Sequence, residues 1–326
     1  MKSIEPFFHH CNQLVRTWID SFDSEEKRKL LVEKDPFLSI QKRNKGLLKD
    51  KYFKTMPEPF LGNPNSCSIV FLNLNPGYTA EDKDEGILGD DEVLSINYAK
   101  SIGDYSEYAK TFPHFNVNPH HKSGAEWWQG RNKYLKGLIN TYFQVQGKDL
   151  PKCQLDGLYP FAIELCPWHS KKWEESHIVI NKGTAVMDAI EKYAFDPVLY
   201  AIKHSLVDFA VAVGKDVLEA LLNSGFELAM SWGPDKDIEG NRFEYIHPQN
   251  KRFPNYPQTK KYRNNKTECL GDYDAYVFYK LLTKKIDGQL VKVLSIYMNG
   301  SNHTPSQKFR KEGIEAEILD YICKLR

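Results

Sequence analysis

The chain has 326 residues, of which 41% are hydrophobic and 13% aromatic, and this composition excludes a disordered chain without a core. Its formal net charge of +1 excludes a whole-chain attraction to nucleic acid or membranes, so any electrostatic attraction must be local. The six cysteines form no C-x-x-C pair, which argues against a zinc or iron–sulfur framework and indicates a reducing, cytoplasmic compartment. No apolar run approaches the roughly 18 residues of a membrane span, and we expect neither a span nor a signal peptide.

Short apolar strands alternate with helical patterns along the chain. Four segments are apolar on both faces, as buried parallel strands require: Cys67–Leu74, Leu158–Cys166, Leu206–Val213 and Leu290–Met298. Helical spacing follows in Glu126–Phe143, Lys182–Tyr193, Lys215–Asn223 and Gln307–Leu325. This alternation predicts an α/β fold with three layers, in which helices flank a four-stranded parallel sheet.

Three segments are predicted to lie outside that core. Residues 1–57 form a charged, mostly helical extension, and residues 58–326 form the α/β domain with insertions at 80–121 and 231–270. The first insertion is predicted to be loop-rich and begins with an acidic run. The second is predicted to be irregular, and its lysines and arginines are interleaved with aromatic residues.

That basic and aromatic composition suggests phosphate contacts and base stacking, whereas a solvated basic loop is the alternative. The candidate nucleic-acid-binding residues are Lys251, Arg252, Lys260, Lys261 and Arg263.

The first candidate site residue, Asn75, follows the first strand in the motif Asn75-Pro76-Gly77-Tyr78. Pro-Gly forces a sharp turn, and Gly77 permits a close approach of a ligand to the backbone. The Asn75 amide would then lie at the strand tip, where it can orient a water molecule. The alternative is that Asn-Pro-Gly is only a favourable turn.

The second candidate, Glu164, is embedded in the apolar run before Cys166-Pro167. An ionised carboxylate is costly in such a run unless it is paired or lies at the mouth of a site. A structural salt bridge is the alternative interpretation.

The third candidate, His303, follows the last strand in a loop rich in glycine, serine and asparagine that ends at Ser306. A histidine there can donate a hydrogen bond to developing negative charge or exchange a proton near neutral pH. The alternative is a solvated loop histidine.

The order of these three motifs resembles that of the uracil-DNA glycosylase superfamily. Asn75-Pro76-Gly77 is similar to the first motif of its mismatch-specific and single-strand-selective branches, and His303-Thr304-Pro305-Ser306 is similar to its His-Pro-Ser loop with one residue inserted. Val211–Lys215 is similar to the third strand and its glycine turn. The resemblance covers roughly residues 58–80, 156–225 and 288–325.

The resemblance implies hydrolysis of the N-glycosidic bond of a base that has been flipped out of DNA. Asn75 would position the attacking water, and His303 would stabilise charge on the departing base. Pro76, Gly77, Tyr78 and Ser306 would lie against the substrate, with Tyr78 either stacked on the base or part of the core. No cofactor and no metal are expected.

The chain departs from the family pattern at Glu164, which occupies the position of the base-reading asparagine. An ionised glutamate only accepts hydrogen bonds, which would favour a base that presents an amino group over uracil. A buried, protonated Glu164 would donate, and the preference would reverse. Two alternatives to a glycosylase stay open: a non-catalytic nucleic-acid or nucleotide binder, and a hydrolase of free nucleosides or nucleotides.

Overall fold

The computed structural model describes residues 3–41, 46–76, 92–113, 122–170, 173–176, 178–236, 243–246, 277–298, 310 and 312–325. The chain divides into two compact units. The first unit contains Met1–Asn132 and Leu158–Asp208, and the second unit contains Lys133–Gly157 and Phe209–Arg326. The proposed boundary between an extension and a domain at residue 57 stays a prediction.

The helices are α1 Glu5–Asp20, α2 Glu25–Lys34, α3 Asp50–Phe53, α4 Glu92–Ile102, α5 Tyr105–Lys110, α6 Lys122–Val145, α7 Lys152–Asp156, α8 Ala185–Ile190, α9 Asp196–Ile202, α10 Lys215–Asn223 and α11 Glu312–Lys324. The strands are β1 Phe60–Leu61, β2 Ile69–Asn73, β3 Pro160–Glu164, β4 Phe209–Val213, β5 Glu227–Lys236, β6 Phe243–Ile246, β7 Val277–Ile286 and β8 Gln289–Met298. The protein is therefore a mixed α/β protein, as the sequence predicts.

The four predicted core strands are confirmed as β2, β3, β4 and β8. In the first unit β2 pairs with β3 in parallel, and in the second unit β4 pairs with β8 in parallel. Each unit also contains antiparallel pairs, so the sheet structure is mixed rather than purely parallel. In the first unit β1 pairs with β3, and in the second unit β8, β7, β5 and β6 pair in that order.

Helices cover both faces of the strands in the first unit. On one face, the Phe7 ring of α1 meets the Phe161 ring of β3 edge to face, with centroids 6.3 Å apart. On the opposite face, Trp128 of α6 meets Phe71 of β2 at 5.9 Å. All five residues of β2 and of β3 are buried, which explains why both segments are apolar throughout.

A tight hairpin joins β7 to β8 in the second unit. Its two turn residues, Asp287 and Gly288, have φ angles of 50° and 80°. Asp-Gly is a favoured two-residue turn because both positions need a positive φ. The strand β7 was not among the predicted elements, although this dipeptide is a recognised sequence signal for such a hairpin.

Two of the predicted insertions contain more regular structure than expected. The region 80–121 was predicted to be loop-rich, but α4 and α5 lie within it. Helix α5 begins where the Asp104 side chain accepts a hydrogen bond from the Glu107 amide at 3.1 Å, which is a helix cap. The region 231–270 was predicted to be irregular, but β5 extends into it and β6 lies within it.

No helix among the described residues combines the length and the apolarity needed to cross a membrane. Among the described cysteines, Cys11, Cys67, Cys153, Cys166 and Cys323, no two form a disulfide with each other.

Candidate functional site

Asn75 lies two residues beyond the carboxyl end of β2 and is half-buried. Its Nδ2 atom donates to the Ser170 hydroxyl at 2.9 Å, to the Pro76 carbonyl at 2.9 Å and to the Trp168 carbonyl at 3.3 Å. The Ser170 amide in turn donates to the Pro76 carbonyl at 3.4 Å. The side chain of Asn75 therefore joins the end of β2 to the segment that follows β3.

These bonds fix which atom of Asn75 remains free for chemistry. Because the nitrogen is committed to three acceptors, and no described residue donates to Oδ1, the carbonyl oxygen of the amide is the atom that can accept a hydrogen bond from a water molecule. The same bonds give Asn75 a structural part in the turn. The contacts of Asn75 are therefore compatible with both interpretations of the Asn-Pro-Gly motif, an amide that orients a water molecule and a favourable turn.

Glu164 is the last residue of β3 and lies opposite Asn73 in the parallel register. Its Oε1 atom accepts a hydrogen bond from the Asn73 Nδ2 atom at 2.9 Å. Its Oε2 atom is buried, and no partner for it exists among the described residues. A buried carboxyl oxygen without a donor favours the protonated acid, whose O–H needs an acceptor rather than a donor.

A buried arginine completes this polar group. Arg131 of α6 donates from Nη1 to the Asn73 Oδ1 atom at 3.1 Å, and its guanidinium lies 5.7 Å from the centroid of the Phe71 ring. Asn73 therefore bridges Arg131 and Glu164 through the two ends of its amide. Neither Asn73 nor Arg131 was among the predicted site residues, although Asn73 is a polar residue inside an apolar strand and carried the same signal as Glu164.

The pKa of Glu164 is raised from 4.5 to about 8, chiefly by burial, and the nearby carboxylate of Glu58 contributes to the rise. The hydrogen bond from Asn73 and the charge of Arg131 oppose this shift but do not cancel it. Burial lowers the pKa of Arg131 to about 9, so the guanidinium remains protonated at neutral pH. At neutral pH the group therefore contains a positive arginine and a predominantly neutral glutamic acid.

The segment after β3 is fixed by buried polar contacts of its own. The Trp168 indole donates to the Asp35 carboxylate at 3.2 Å and stacks on Phe53 with centroids 6.0 Å apart. The His169 Nε2 atom lies 3.0 Å from the Met56 carbonyl. Burial raises the pKa of Asp35 to about 6. These contacts place Ser170 where it meets Asn75.

A cavity of about 40 Å³ lies in the first unit, and its lining includes His10, Asp35, Glu164 and Tyr193. This volume holds one or a few water molecules but not a nucleobase. Within the described part of the chain, this cavity is therefore too small to serve as a base pocket. The described residues also contain no group of three histidine, cysteine, aspartate or glutamate side chains that could hold a metal ion.

Of the three predicted site motifs, the structure places two. Asn75 and Glu164 lie at the carboxyl ends of neighbouring parallel strands, where a doubly wound sheet binds its ligands. The other predicted site residues lie outside the described residues: Gly77, Tyr78, His303, Ser306, Lys251, Arg252, Lys260, Lys261 and Arg263. Convergence of His303 on Asn75 stays a prediction.

Comparisons with known proteins found no matching family model, no matching curated protein and no matching solved structure.

Proposed function

We propose that the protein is a hydrolase of the N-glycosidic bond of a base flipped out of DNA, with a fold like that of the uracil-DNA glycosylases. The observation that supports this proposal is that Asn75 and Glu164 follow or end two neighbouring parallel strands at the same edge of the sheet. One supplies a fixed amide oxygen for a water molecule, and the other supplies a buried acid for a base edge. The alternating strand and helix order of the sequence also supports it.

In the proposed reaction, Asn75 Oδ1 accepts a hydrogen bond from the water that attacks the anomeric carbon. The carbon–nitrogen bond breaks as the new carbon–oxygen bond forms. The base leaves with the bonding electron pair, and it takes up a proton equivalent to the one that the attacking water loses, which yields a free base and an abasic sugar. His303 would stabilise the charge on the departing base, as the resemblance implies.

The protonation of Glu164 changes the expected substrate. A neutral carboxylic acid presents one O–H donor and one carbonyl acceptor, as the amide of asparagine presents one donor group and one acceptor. Uracil presents a carbonyl acceptor beside an N–H donor, so a neutral Glu164 matches it. The expectation that Glu164 selects an amino-bearing base assumed an ionised carboxylate, and the raised pKa argues against that form at neutral pH.

The direct test is incubation of the protein with oligonucleotides that carry normal, deaminated and modified bases, in single and double strands. Free base and abasic sites are then measured. Base release from a deaminated base supports the proposal. Tight binding of an abasic or modified strand without base release would instead identify a non-catalytic binder, and salt-insensitive turnover of a free nucleoside would identify a nucleoside hydrolase.

The selectivity between bases should depend on pH through Glu164. Below about pH 8 the neutral acid favours a uracil-like edge, and above it the carboxylate favours an amino group. The ratio of uracil release to amino-base release should therefore fall as pH rises through 8. In Glu164→Gln, whose amide does not titrate, the ratio should stay constant.

Thermal unfolding between pH 5 and 9 provides a second readout of the same group. Because the folded pKa of Glu164 lies above its ordinary value, the folded state binds more protons than the unfolded state between about pH 4.5 and 8. Its contribution to stability is complete below about pH 4.5 and is lost as pH rises through about 8. Glu164→Gln should flatten this slope, whereas Glu107→Gln, at an exposed carboxylate, should not. Equal slopes in all three proteins would show that Glu164 is ionised throughout.

A further inference from the structure

Asp35 is connected to Asn75 by a chain of hydrogen bonds within the first unit. The Asp35 Oδ1 atom accepts a hydrogen bond from the Trp168 indole at 3.2 Å. The Trp168 carbonyl in turn accepts from the Asn75 Nδ2 atom at 3.3 Å. One tryptophan therefore contacts a buried carboxylate through its side chain and the amide of Asn75 through its backbone.

The bond to Asp35 determines how the indole of Trp168 is oriented. Trp168 is buried, and its ring stacks on Phe53 with planes that differ by 6°. Stacking fixes the plane of the indole but leaves rotation within that plane open. Because the indole has a single N–H donor, its hydrogen bond to Asp35 fixes that rotation. Asp35 thereby helps to place the Trp168 backbone that meets Asn75.

Only one oxygen of the Asp35 carboxylate is engaged by the described residues. Oδ1 accepts from the indole and also from the backbone amides of Phe37 and Leu38, each at 2.9 Å. No described residue donates to Oδ2, and Asp35 lines the cavity of about 40 Å³, which has room for a water molecule. A proton can therefore reach Oδ2 while Oδ1 keeps its three donors.

The stability of the fold does not explain the charge of Asp35. Burial raises its pKa from 3.8 to about 6, although its three hydrogen bonds lower it. The stability that Asp35 contributes is therefore complete below about pH 3.8 and is lost as pH rises through about 6. An asparagine could accept the same three hydrogen bonds without that loss. What the ionised carboxylate adds is a stronger acceptor for the indole.

The other titratable and charged groups around Asp35 and Trp168 come from several elements. They are His10 and Cys11 of α1, Glu164 at the end of β3, Cys166, Tyr193 in the π-helical turn Glu191–Phe195, and Arg28 of α2, which lies over the Phe53 ring. The pKa of His10 is lowered to about 4, and that of Glu164 is raised to about 8, chiefly by burial. Burial also raises the pKa of both thiols. A change of charge near pH 6 in this group therefore belongs to Asp35.

We propose that Asp35 is a positioning residue for Asn75 and acts through Trp168: its carboxylate holds the indole, and the backbone of Trp168 then holds the amide that orients the water molecule. The effect on the rate rests on the proposed hydrolase, whereas the coupling between the three residues does not. Protonation of Asp35 weakens its bond to the indole and loosens the amide of Asn75. Base release should therefore be slower below about pH 6 than above it.

Nuclear magnetic resonance tests the coupling without any substrate. In the isotopically labelled full-length protein, the indole N–H signal of Trp168 and the side-chain amide signal of Asn75 should both shift with a midpoint near pH 6. The two signals are assigned by their loss in Trp168→Phe and Asn75→Ala. In Asp35→Asn, whose amide keeps the acceptor but does not titrate, both signals should stay constant between pH 5 and 7.

Single-turnover base release provides the functional readout. At pH 7 Asp35→Asn should release base about fivefold more slowly than the unchanged protein, because a neutral acceptor holds the indole less strongly than a charged one. At pH 5 the two rates should agree closely. The melting temperature of Asp35→Asn at pH 7 should be no lower than that of the unchanged protein, so a loss of fold would not explain the slower rate.

Trp18→Phe is the matched control. Trp18 is a second buried tryptophan of the first unit, and its indole donates to the Phe53 carbonyl at 2.7 Å rather than to a carboxylate. Its replacement should lower the melting temperature but leave the shifts of the Trp168 and Asn75 signals in place. If Asp35→Asn does not fold, Trp168→Phe takes its place, and the Asn75 signal should not shift in that variant.

The proposal is overturned by a Trp168 signal that does not shift between pH 5 and 7, by a Trp168 shift without one at Asn75, or by the same shifts in Asp35→Asn. It is also overturned if the protein releases base and Asp35→Asn does so at the unchanged rate at pH 7. Shifts of both signals without base release from any oligonucleotide would support the coupling and contradict the hydrolase. Base release without these shifts would support the hydrolase and contradict the coupling.

Discussion

Replacement of Asn75 by alanine should slow base release by about 10²–10³, the loss seen when one preorganised hydrogen-bonding group is removed from an active site. The amide of Asn75 is held at its nitrogen by Ser170, Pro76 and Trp168, so its oxygen has a fixed direction. Alanine removes the oxygen that would hold the water. The measurement is single-turnover base release on the preferred substrate.

The same change should also destabilise the fold. Asn75 closes the turn through hydrogen bonds to groups that are largely buried, and each lost partner leaves an acceptor unsatisfied, at a cost of about 1–3 kcal/mol. The same replacement at an exposed loop tip would leave the free energy of unfolding almost unchanged. Thermal unfolding of the variant is therefore measured first, and activity is compared well below its melting temperature.

Two further variants separate the two roles of Asn75, which are to bind a water molecule through Oδ1 and to stabilise the turn through Nδ2. Ser170→Ala removes one acceptor of the amide nitrogen but leaves Oδ1 in place, so it should reproduce part of the stability loss with a much smaller loss of rate. Asn65→Ala, in an exposed turn of the same unit, is the matched control and should change neither quantity. If Asn75→Ala and Ser170→Ala slow base release equally, the motif is only a turn.

The strands that the sequence predicts best are those in which a continuous apolar sequence corresponds to burial of every residue. Ile69–Asn73 and Pro160–Glu164 are apolar on both faces because helices cover both faces, so their composition alone predicts a buried parallel pair. Helix α10 occupies the predicted residues because Gly214 precedes it, with a φ of 104° that ends the strand before it.

The antiparallel strands were missed because their composition is only half apolar. In the first half of β7, buried residues alternate with the half-buried Phe278 and Lys280, and its second half carries Lys284 and Lys285, so the pattern is weaker than a continuous apolar run. The hairpin signal Asp287-Gly288 was present in the sequence but was not used. The place of β7 in the sheet depends on its register with β5, not on its composition. A single sequence does not reveal which residues of two strands pair when the strands are as far apart in the chain as β5 and β7.

The sequence predicts individual residues of the candidate site but not the residues that contact them. Glu164 and Asn75 were found because they are polar residues at strand ends. Arg131 could not be found in the same way, since it is one of many charged residues on a long helix. Its role depends on the tertiary packing that brings α6 over Asn73, and the raised pKa of Glu164 depends on the same packing.

Replacement of Glu315 by glutamine should lower the free energy of unfolding by about 3–5 kcal/mol, because it removes the only buried carboxylate among the described residues that pairs with Arg310. Glu315 and Arg310 form an ion pair in the second unit, with Nη2 and Nε of the arginine 2.7 and 2.9 Å from Oε2. The side chain of Glu315 is 0% exposed and that of Arg310 is 6% exposed. The pair is therefore screened from solvent.

Each oxygen of this carboxylate has its own donors. Oε1 accepts from the Tyr134 hydroxyl at 3.0 Å and from the Tyr279 hydroxyl at 3.1 Å, and the arginine also donates to Thr141 at 3.0 Å. A buried ion pair whose hydrogen bonds are all satisfied is retained at little net cost, but removal of one member is expensive.

The matched control acts on the same arginine. Arg310 also contacts Glu312 at 3.4 Å, but the Glu312 side chain is 73% exposed, and Glu312→Gln should cost less than about 1 kcal/mol. Urea unfolding of the two glutamine variants compares the loss of a buried carboxylate with the loss of an exposed one, and in both cases the side chain keeps nearly the same shape. A double variant, Arg310→Met with Glu315→Met, should be less destabilised than the sum of its two single changes, since neither charge then lacks a partner. Equal losses in Glu315→Gln and Glu312→Gln would mean that water reaches the carboxylate of Glu315.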